Sequence, residues 1–410
     1  MILIRVAFLL KEIKSVDTQK EQLFLYIDEH QHEYEVIAKE IFDHPETSNH
    51  EYFARDLLAN QLEKQGFEVV KDVAGHPTGF TAVKKAEKAG PVIAFLAEYD
   101  ALVGLGHGCG HNLIGTISTL SAIALSKELE ALGGEIRVYG TPGEEGGENG
   151  SSKESFVAKG FFKDVDIALE VHPEYRNAPT PKSLALDAVD IEFFGKAAHA
   201  GSDPEKGVNA LDALILTYNG INAMRQHVTP DVRIHGIITE GGKAPNIVPD
   251  YTRARFYLRA DTRKKVNEIY GKVEKIVEGS AMATGCTYRM GLLQNKVDNI
   301  IPNTVLDALY KEALEEMGEE YEEEVFFPST DAGNVSQVIP LLHPLFKITN
   351  EQAPLHTEAF LNVCGSKEGI SRLSVGAKLL ASIGLRLMKE PDTLKLVQER
   401  HQQLLAEKEI

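Results

Sequence analysis

The chain has 410 residues, more than one hydrophobic core usually organises, so two domains are expected. Its net charge of −18, from 43 Lys and Arg against 61 Asp and Glu, comes without a basic patch and argues against nucleic acid as a partner. Three cysteines, Cys109, Cys286 and Cys364, make no disulfide framework and point to a reducing, cytoplasmic setting.

The first ten residues are mostly apolar, but Arg5 interrupts them and Lys11 and Lys14 follow. The run lacks a signal-peptide cleavage site and is too short to span a bilayer, so residues 1–18 read as an N-terminal extension and no membrane association is expected. Residues 17–66 read as helical: Leu23, Tyr26, Ile27 and His30 recur at helical spacing, as do Tyr34, Ile37, Ala38 and Ile41. The stretch Pro45-Glu46-Thr47-Ser48 breaks this pattern and caps a second helix over about 51–65, closed by Gly66. Strands follow at 67–70, 79–83 and 92–96, the last ending in Glu98-Tyr99-Asp100. A helix rich in Ala, Ser, Leu and Ile is expected from Asn112 to Leu132, then a strand at 136–140, a helix near 153–159, and a strand at 165–171 that ends on His172-Pro173. This alternation implies a mostly parallel sheet with helices on both faces.

At about residue 185 the pattern changes. Residues 186–193 alternate as a half-exposed antiparallel strand does. A Gly/His/Pro-rich loop (195–207), a helix at 209–225, strands at 233–239 and 252–260, a helix at 262–283 and a strand at 286–292 complete an α+β module. It reads as an insertion (185–296) between the halves (19–184 and 297–410) of the first domain. The α/β pattern resumes with a helix at 303–317 and closes with one near 365–388.

Chemistry concentrates at the predicted strand ends, where open α/β sheets build their sites. Cys109 and His111 follow the first buried strand, Glu144 and Glu145 the second, and His172 the third, while His356 sits in a polar loop further on. Cys-x-His, Glu-Glu or His-Pro alone is weak evidence; sulfur, imidazole and carboxylate donors at consecutive strand ends together form a metal-site inventory. The Cys/His motif also opens a helix, whose positive end favours a thiolate. The set suits two ions, with one glutamate ligating and the other serving as general base. Asp100 is positioned to orient a histidine ligand.

These residues resemble the aminoacylase/amidohydrolase branch of the co-catalytic metallopeptidases. The resemblance is carried by Glu98-Tyr-Asp-Ala-Leu102, His107-Gly-Cys-Gly-His-Asn112, Gly140-Thr-Pro-Gly-Glu-Glu-Gly146, Val171-His-Pro173, Gly195-Lys-Ala-Ala-His-Ala200, Asn246-Ile-Val-Pro249, Ser329-Thr-Asp-Ala-Gly-Asn334 and the His356 loop. Asn112, where many thiolate-bearing members have Asp, tilts it toward the p-aminobenzoyl-glutamate hydrolases and basic-dipeptide dipeptidases. The resemblance implies a zinc-exopeptidase-like catalytic domain with an inserted ferredoxin-like lid that dimerises, giving a homodimer or homotetramer. It implies two divalent ions per subunit, Zn or Mn, held by Cys109, His111, Glu145, His172 and His356. Glu144, Asp100 and His199 become the catalytic candidates, with Glu144 as base, and Asn246 and Arg259 the substrate-binding ones. Glu98 stands where many relatives carry Asp or His and is not counted as a ligand. The implied activity is hydrolysis of an amide bond in a dipeptide or N-acyl amino acid by metal-activated water.

Two other readings compete. Gly104-Leu-Gly106-His-Gly108 superficially resembles a dinucleotide loop, but its spacing is wrong and Cys109 and His111 stand where a phosphate needs bare amides. A catalytically inactive metal- or peptide-binding homologue fits less well, because neither Glu144 nor His199 is needed to hold metal. No Gly-x-Ser-x-Gly elbow supports a serine nucleophile.

Overall fold

The computed structural model describes residues 18–409 apart from 324 and 327, so the expected N-terminal extension lies, but for Thr18, outside the described residues. Helix α1 (Thr18–Asp43) buries Leu23, Ile27, Tyr34, Ile37, Ala38 and Ile41 as one stripe at helical spacing. Helix α2 (Tyr52–Lys64) follows the break at Pro45. Within that break the Glu46 carboxylate caps the helix, accepting from the amides of Phe53 and Ala54 at 3.1 Å each. Then come β1 (Glu68–Val73), β2 (His76–Lys85), β3 (Val92–Ala97), α3 (His111–Ser126), β4 (Glu135–Gly140), α4 (Ser152–Ala158), β5 (Ile167–Leu169) and β6 (His172–Glu174). Helix α3 ends earlier than its composition suggests, and Leu129–Leu132 forms a separate turn. The expected strand over 165–171 contracts to three residues: its pairing with β3 ends at Leu169, while the amides of Ala168, Glu170 and His172 go on donating to the carbonyls of Pro340, Leu342 and Pro344.

The next segment folds as β7 (Ala185–Phe194), α5 (Ala210–Met224), β8 (Arg233–Glu240), β9 (Tyr251–Ala260), α6 (Arg263–Thr284) and β10 (Thr287–Leu292). Its sheet is antiparallel, in the order β10-β7-β9-β8, which is the ferredoxin-like arrangement. The unit has its own core, including Val189, Ile191 and Phe193 of β7 packed with Leu214, Phe256, Val273 and Val277. Alternation on β9 explains this: Thr252, Ala254, Phe256, Leu258 and Ala260 are buried while the arginines between them are partly exposed.

The chain then returns through α7 (Thr304–Glu316), α8 (Ala332–Ser336), β11 (Leu341–Leu342), β12 (Leu345–Lys347), α9 (Leu373–Lys389) and α10 (Pro391–Glu409). The larger sheet has the order β1-β2-β4-β3-β5-β11; its β4–β3, β3–β5 and β5–β11 pairings are parallel, and the two at the β1 end are antiparallel. Strand β6 pairs in parallel with β12. Both faces of β3 are covered: Ile93, Phe95 and Ala97 enter the main core, Ala94 and Leu96 a second core on the opposite face with Phe156 and Val335. The closing helix expected near 365–388 is split, and α9 begins only at Leu373. Helix α10 was not expected. Its polar composition hides a stripe in which Leu394, Val397 and His401 are buried, and Pro391 at its start is the signal that sequence offered.

Helix α3 is buried along its entire length and delivers the site. It seats closely on the end of β3: a Cβ at Gly115 would lie 2.6 Å from the Glu98 carbonyl oxygen and 2.8 Å from Leu58 Cδ1. Backbone cannot yield there as a flexible side chain can. We therefore expect Gly115→Ala to destabilise the protein by about 1–3 kcal/mol in equilibrium denaturation; an unchanged midpoint would mean that α3 has slack against β3.

Candidate metal centre

The turn into α3 is built by Gly110, which has φ +80° and whose absent Cβ would sit 2.9 Å from Pro173 Cβ. It lets Cys109 and His111 approach the His172 strand closely: Cys109 Sγ lies 3.4 Å from His172 Nε2. His172 Nδ1 donates to the Pro173 carbonyl at 2.9 Å, which leaves the Nε2 lone pair directed at the sulfur. Burial, reinforced by His343, depresses the His172 pKa to about 3, so the ring is neutral.

His111 donates from Nδ1 to Asp100 Oδ1 at 3.0 Å, and the other Asp100 oxygen accepts the Glu145 amide at 2.9 Å. One buried carboxylate thus orients a ring and fixes the Glu144-Glu145 loop. The Glu51 carboxylate, which accepts the Gly143 amide at 3.0 Å, holds the same loop from its other side. His111 Nε2 then faces Glu98 Oε2 at 3.3 Å, Glu144 Oε2 at 3.8 Å and Glu145 Oε1 at 3.9 Å. His356 has a left-handed φ of +61°, and its amide donates to the Gly108 carbonyl; its Nε2 lies 3.5 Å from Glu145 Oε2.

Three donor groups result, each with its ligand atoms within 4.8 Å of one another: Cys109, His111 and His172; Cys109, Glu145 and His356; and Glu98, His111 and Glu144. Cys109 belongs to the first two. All five predicted metal ligands are therefore brought together, along with Glu144 and Asp100. Cys109, Glu144, Glu145, His172 and His356 line a cavity of about 440 Å³ together with Arg259, and His111 and Asp100 are buried beside them. Arg259 reaches in from β9 and donates to Ser329 Oγ at 3.0 Å. His199 and Asn246 do not line this cavity. They lie in two exposed loops of the smaller unit, joined to each other by the bond from the Ala200 amide to the Asn246 carbonyl.

The charge balance favours cations. Burial pushes Glu144 well above the ordinary carboxylate range, and the charges of Glu98 and Glu145 add to the effect. Burial, opposed by His111 and reinforced by Asp100, brings Glu145 to about 7. Burial, then the Glu145 charge, push the Cys109 thiol up against the effect of the helix end, and His111 does not compensate. A thiolate here needs a neighbouring cation. Glu98 Oε2, His111 Nε2 and Glu145 Oε1 are moreover buried without hydrogen-bond partners. Stranded acceptors and crowded carboxylates are what a bound divalent cation satisfies, so the donor set fits metal.

Sequence reasoning did not identify Lys153. Its side chain is fully buried, with Nζ 2.5 Å from Glu98 Oε1 and 2.6 Å from Asp331 Oδ1. Burial alone would raise the Glu98 pKa, but Lys153 and then His111 hold it down to about 2. Nothing local to residues 151–160 signals this lysine, because its partners are 55 and 178 positions away.

A parallel sheet with a metal-compatible crevice and a separate ferredoxin-like unit is the architecture of a two-domain metallohydrolase. Residues 186–283 match the model of a peptidase dimerisation domain. The chain is 35% identical over 401 residues to Xaa-Arg dipeptidase of Mus musculus, covering 94% of this chain and 92% of the relative. It is 38% identical over 323 residues to one of the subunits of p-aminobenzoyl-glutamate hydrolase of Escherichia coli K12, covering 73% of this chain and 66% of that protein. Among solved structures, a dinuclear metal-binding M20 peptidase of Bacillus subtilis aligns with a TM-score of 0.64 at 18% identity, over 88% of this chain and 99% of the other. The chain belongs to the M20 peptidase family and is a metal-dependent hydrolase of peptide or amide bonds.

Lys153→Met would leave Glu98 and Asp331 facing each other without a counter-charge. Removing one partner of a buried ion pair costs about 3–5 kcal/mol, so a large drop in the denaturation midpoint is expected, and a change within error would mean that water reaches these carboxylates.

Proposed function

We propose that this protein is a dipeptidase or N-acyl amino acid hydrolase carrying two divalent cations, Zn or Mn, per subunit. The observation that carries the reading is the convergence of Cys109, His111, Glu145, His172 and His356 in overlapping donor groups, four of them lining one cavity, with acceptors buried unsatisfied among them. Cys109 is common to two of the donor groups and is suited to bridge them; thiolate favours Zn. When bound, the cations polarise the scissile carbonyl and make water acidic enough to attack at neutral pH.

The chain's residues supply the remainder. Glu144 accepts a proton from the attacking water and returns it to the leaving nitrogen. Asp100 holds His111 and the Glu145 amide in register for that geometry. Arg259, the cation in the cavity lining, suits a substrate carboxylate and orients the dipeptide. His199 accepts at Nδ1 from the amides of Gly201 and Ser202, both at 3.1 Å, which leaves Nε2 to carry the ring proton. That tautomer is a donor suited to the oxyanion of the tetrahedral intermediate.

In this reading His199 and Asn246, which do not line the cavity of their own chain's metal site, serve the cavity of a second copy, in a homodimer or homotetramer assembled through residues 185–296. Residues 19–184 and 297–410 form the catalytic unit in this reading. Helices long and apolar enough to cross a membrane are absent among the described residues, which suits the cytoplasmic setting. The names of the relatives favour two substrates, a dipeptide ending in a basic residue and p-aminobenzoyl-glutamate.

The test is metal content together with hydrolysis of a β-alanyl-basic dipeptide, p-aminobenzoyl-glutamate and an N-acetyl amino acid. Near two cations per chain are expected, with kcat falling about 10²–10⁴-fold in Glu144→Gln while the metal is retained. A Glu144→Gln enzyme of wild-type kcat would remove Glu144 as the base, and a wild type that binds no cation would remove the ligand set.

A further inference from the structure

We propose that Glu98 is a metal ligand, a sixth protein donor that binds the same ion as His111. The inference rests on the two-cation reading above and adds a ligand to it. Its basis is how the two oxygens of this carboxylate are used. Glu98 Oε1 is held by Lys153 Nζ at 2.5 Å, and Lys153 is anchored in turn by Asp331, which accepts both from Nζ and, through Oδ2, from the Lys153 amide at 3.0 Å. Glu98 Oε2 has no hydrogen-bond donor although the residue is fully buried, and it lies 3.3 Å from His111 Nε2. That nitrogen is also buried and without a hydrogen-bond partner.

The spacing is the informative quantity. Zinc–nitrogen and zinc–oxygen bonds of about 2.0–2.2 Å put neighbouring donors of a tetrahedral site about 3.3–3.5 Å apart. Glu98 Oε2 and His111 Nε2 therefore sit as two corners of one coordination polyhedron. Each is held from behind, as ligands are: His111 by Asp100 on its other nitrogen, Glu98 by Lys153 on its other oxygen. A carboxylate kept only to balance Lys153 would need no second oxygen aimed at an imidazole. Lys153 is thus a positioning residue: it fixes the Glu98 rotamer and keeps the carboxylate ionised without competing for Oε2. The two ion sites become unequal, because Glu98 strengthens the one containing His111 and leaves the Cys109, Glu145 and His356 group unchanged.

Glu98→Gln tests this. The amide preserves the shape, and Lys153 keeps Asp331 as its counter-charge. Purified wild type and variant, stripped and confirmed folded by circular dichroism, are titrated with Co²⁺ and with Zn²⁺ against a competing chelator. In Glu98→Gln one of the two cations is expected to bind about 10–100-fold more weakly, while the thiolate-to-cobalt absorption from Cys109 still develops with the other. If Glu98→Gln does not fold, Glu98→Asp serves: it keeps the charge, withdraws the oxygen by one methylene, and should weaken the same single site. Two cations bound at wild-type affinity by the variant, with only thermal stability reduced, would overturn the proposal and leave the five-ligand reading intact. A wild type that takes up no cation would overturn both.

Discussion

The pairing of Lys153 with Glu98 and Asp331 is the constraint on which the architecture around the site depends. An ammonium that is fully buried is tolerated only with counter-charges at hydrogen-bond distance, and these come from the end of β3 and from the turn leading into α8. Asp331 lies beyond the ferredoxin-like unit in sequence, so the ion pair closes only after the chain has left the larger sheet and returned to it. The same contact fixes Glu98 beside His111 and brings α8 against α4. Folding and site construction are in this respect a single event.

A second carboxylate distributes order in the opposite direction. Asp100 ties the His111 ring to the Glu145 amide, and Glu51 ties Gly143, so the loop after β4 cannot drift independently of the loop after β3. Hydrogen bonds to charged acceptors are worth more than neutral ones in a buried setting, and here they act on backbone amides that a loop would otherwise expose to water. The result is a rigid set of donors in which too many acids share too small a volume. Burial and mutual repulsion raise Glu144 and Glu145, and burial raises Cys109. A fold selected for stability alone would not collect them; cations convert that cost into affinity.

Much of this was legible in the order of residues because the parallel sheet does the assembling. Once β3, β4 and β5 are recognised as consecutive strands, their carboxyl ends are neighbours, and Cys109, His111, Glu144, Glu145 and His172 converge without further information. The ferredoxin-like unit was legible for a similar reason: alternation on β7 and β9 reports a sheet with one buried face. What escaped was long-range or cryptic. Lys153 lies in a short helix of ordinary composition, and only its distant partners make it exceptional. The setting of Glu98, with one oxygen on Lys153 and the other beside His111, was likewise not legible, because both neighbours are remote in sequence. The thiol's burial escaped as well, because a helix terminus is visible in sequence and burial is not. Helix α10 escaped because its narrow apolar stripe is diluted by Gln, Glu and Lys.

The smaller unit leaves unfinished business that its own fold cannot complete. Strand β8 is the edge of the antiparallel sheet, and Ile237 and Ile238 on it are 65% and 46% exposed. On the helix side, Ile215 and Leu216 of α5 are similarly open. An edge of this length, with charges only at its ends in Arg233 and Glu240 and apolar side chains between them, can accept another strand. The matched family model is that of a dimerisation domain, and pairing along this edge would cover both the free backbone groups and the isoleucines. It would also give a destination to the loops carrying His199 and Asn246, which are braced against each other and polar but do not line the metal-site cavity of their own chain. In the proposed assembly the work is divided by physical type. The buried half of the site, charged and desolvated, is made by folding, where ion pairs can be held within tenths of an ångström. The exposed half, made of hydrogen-bonding side chains, is brought by association.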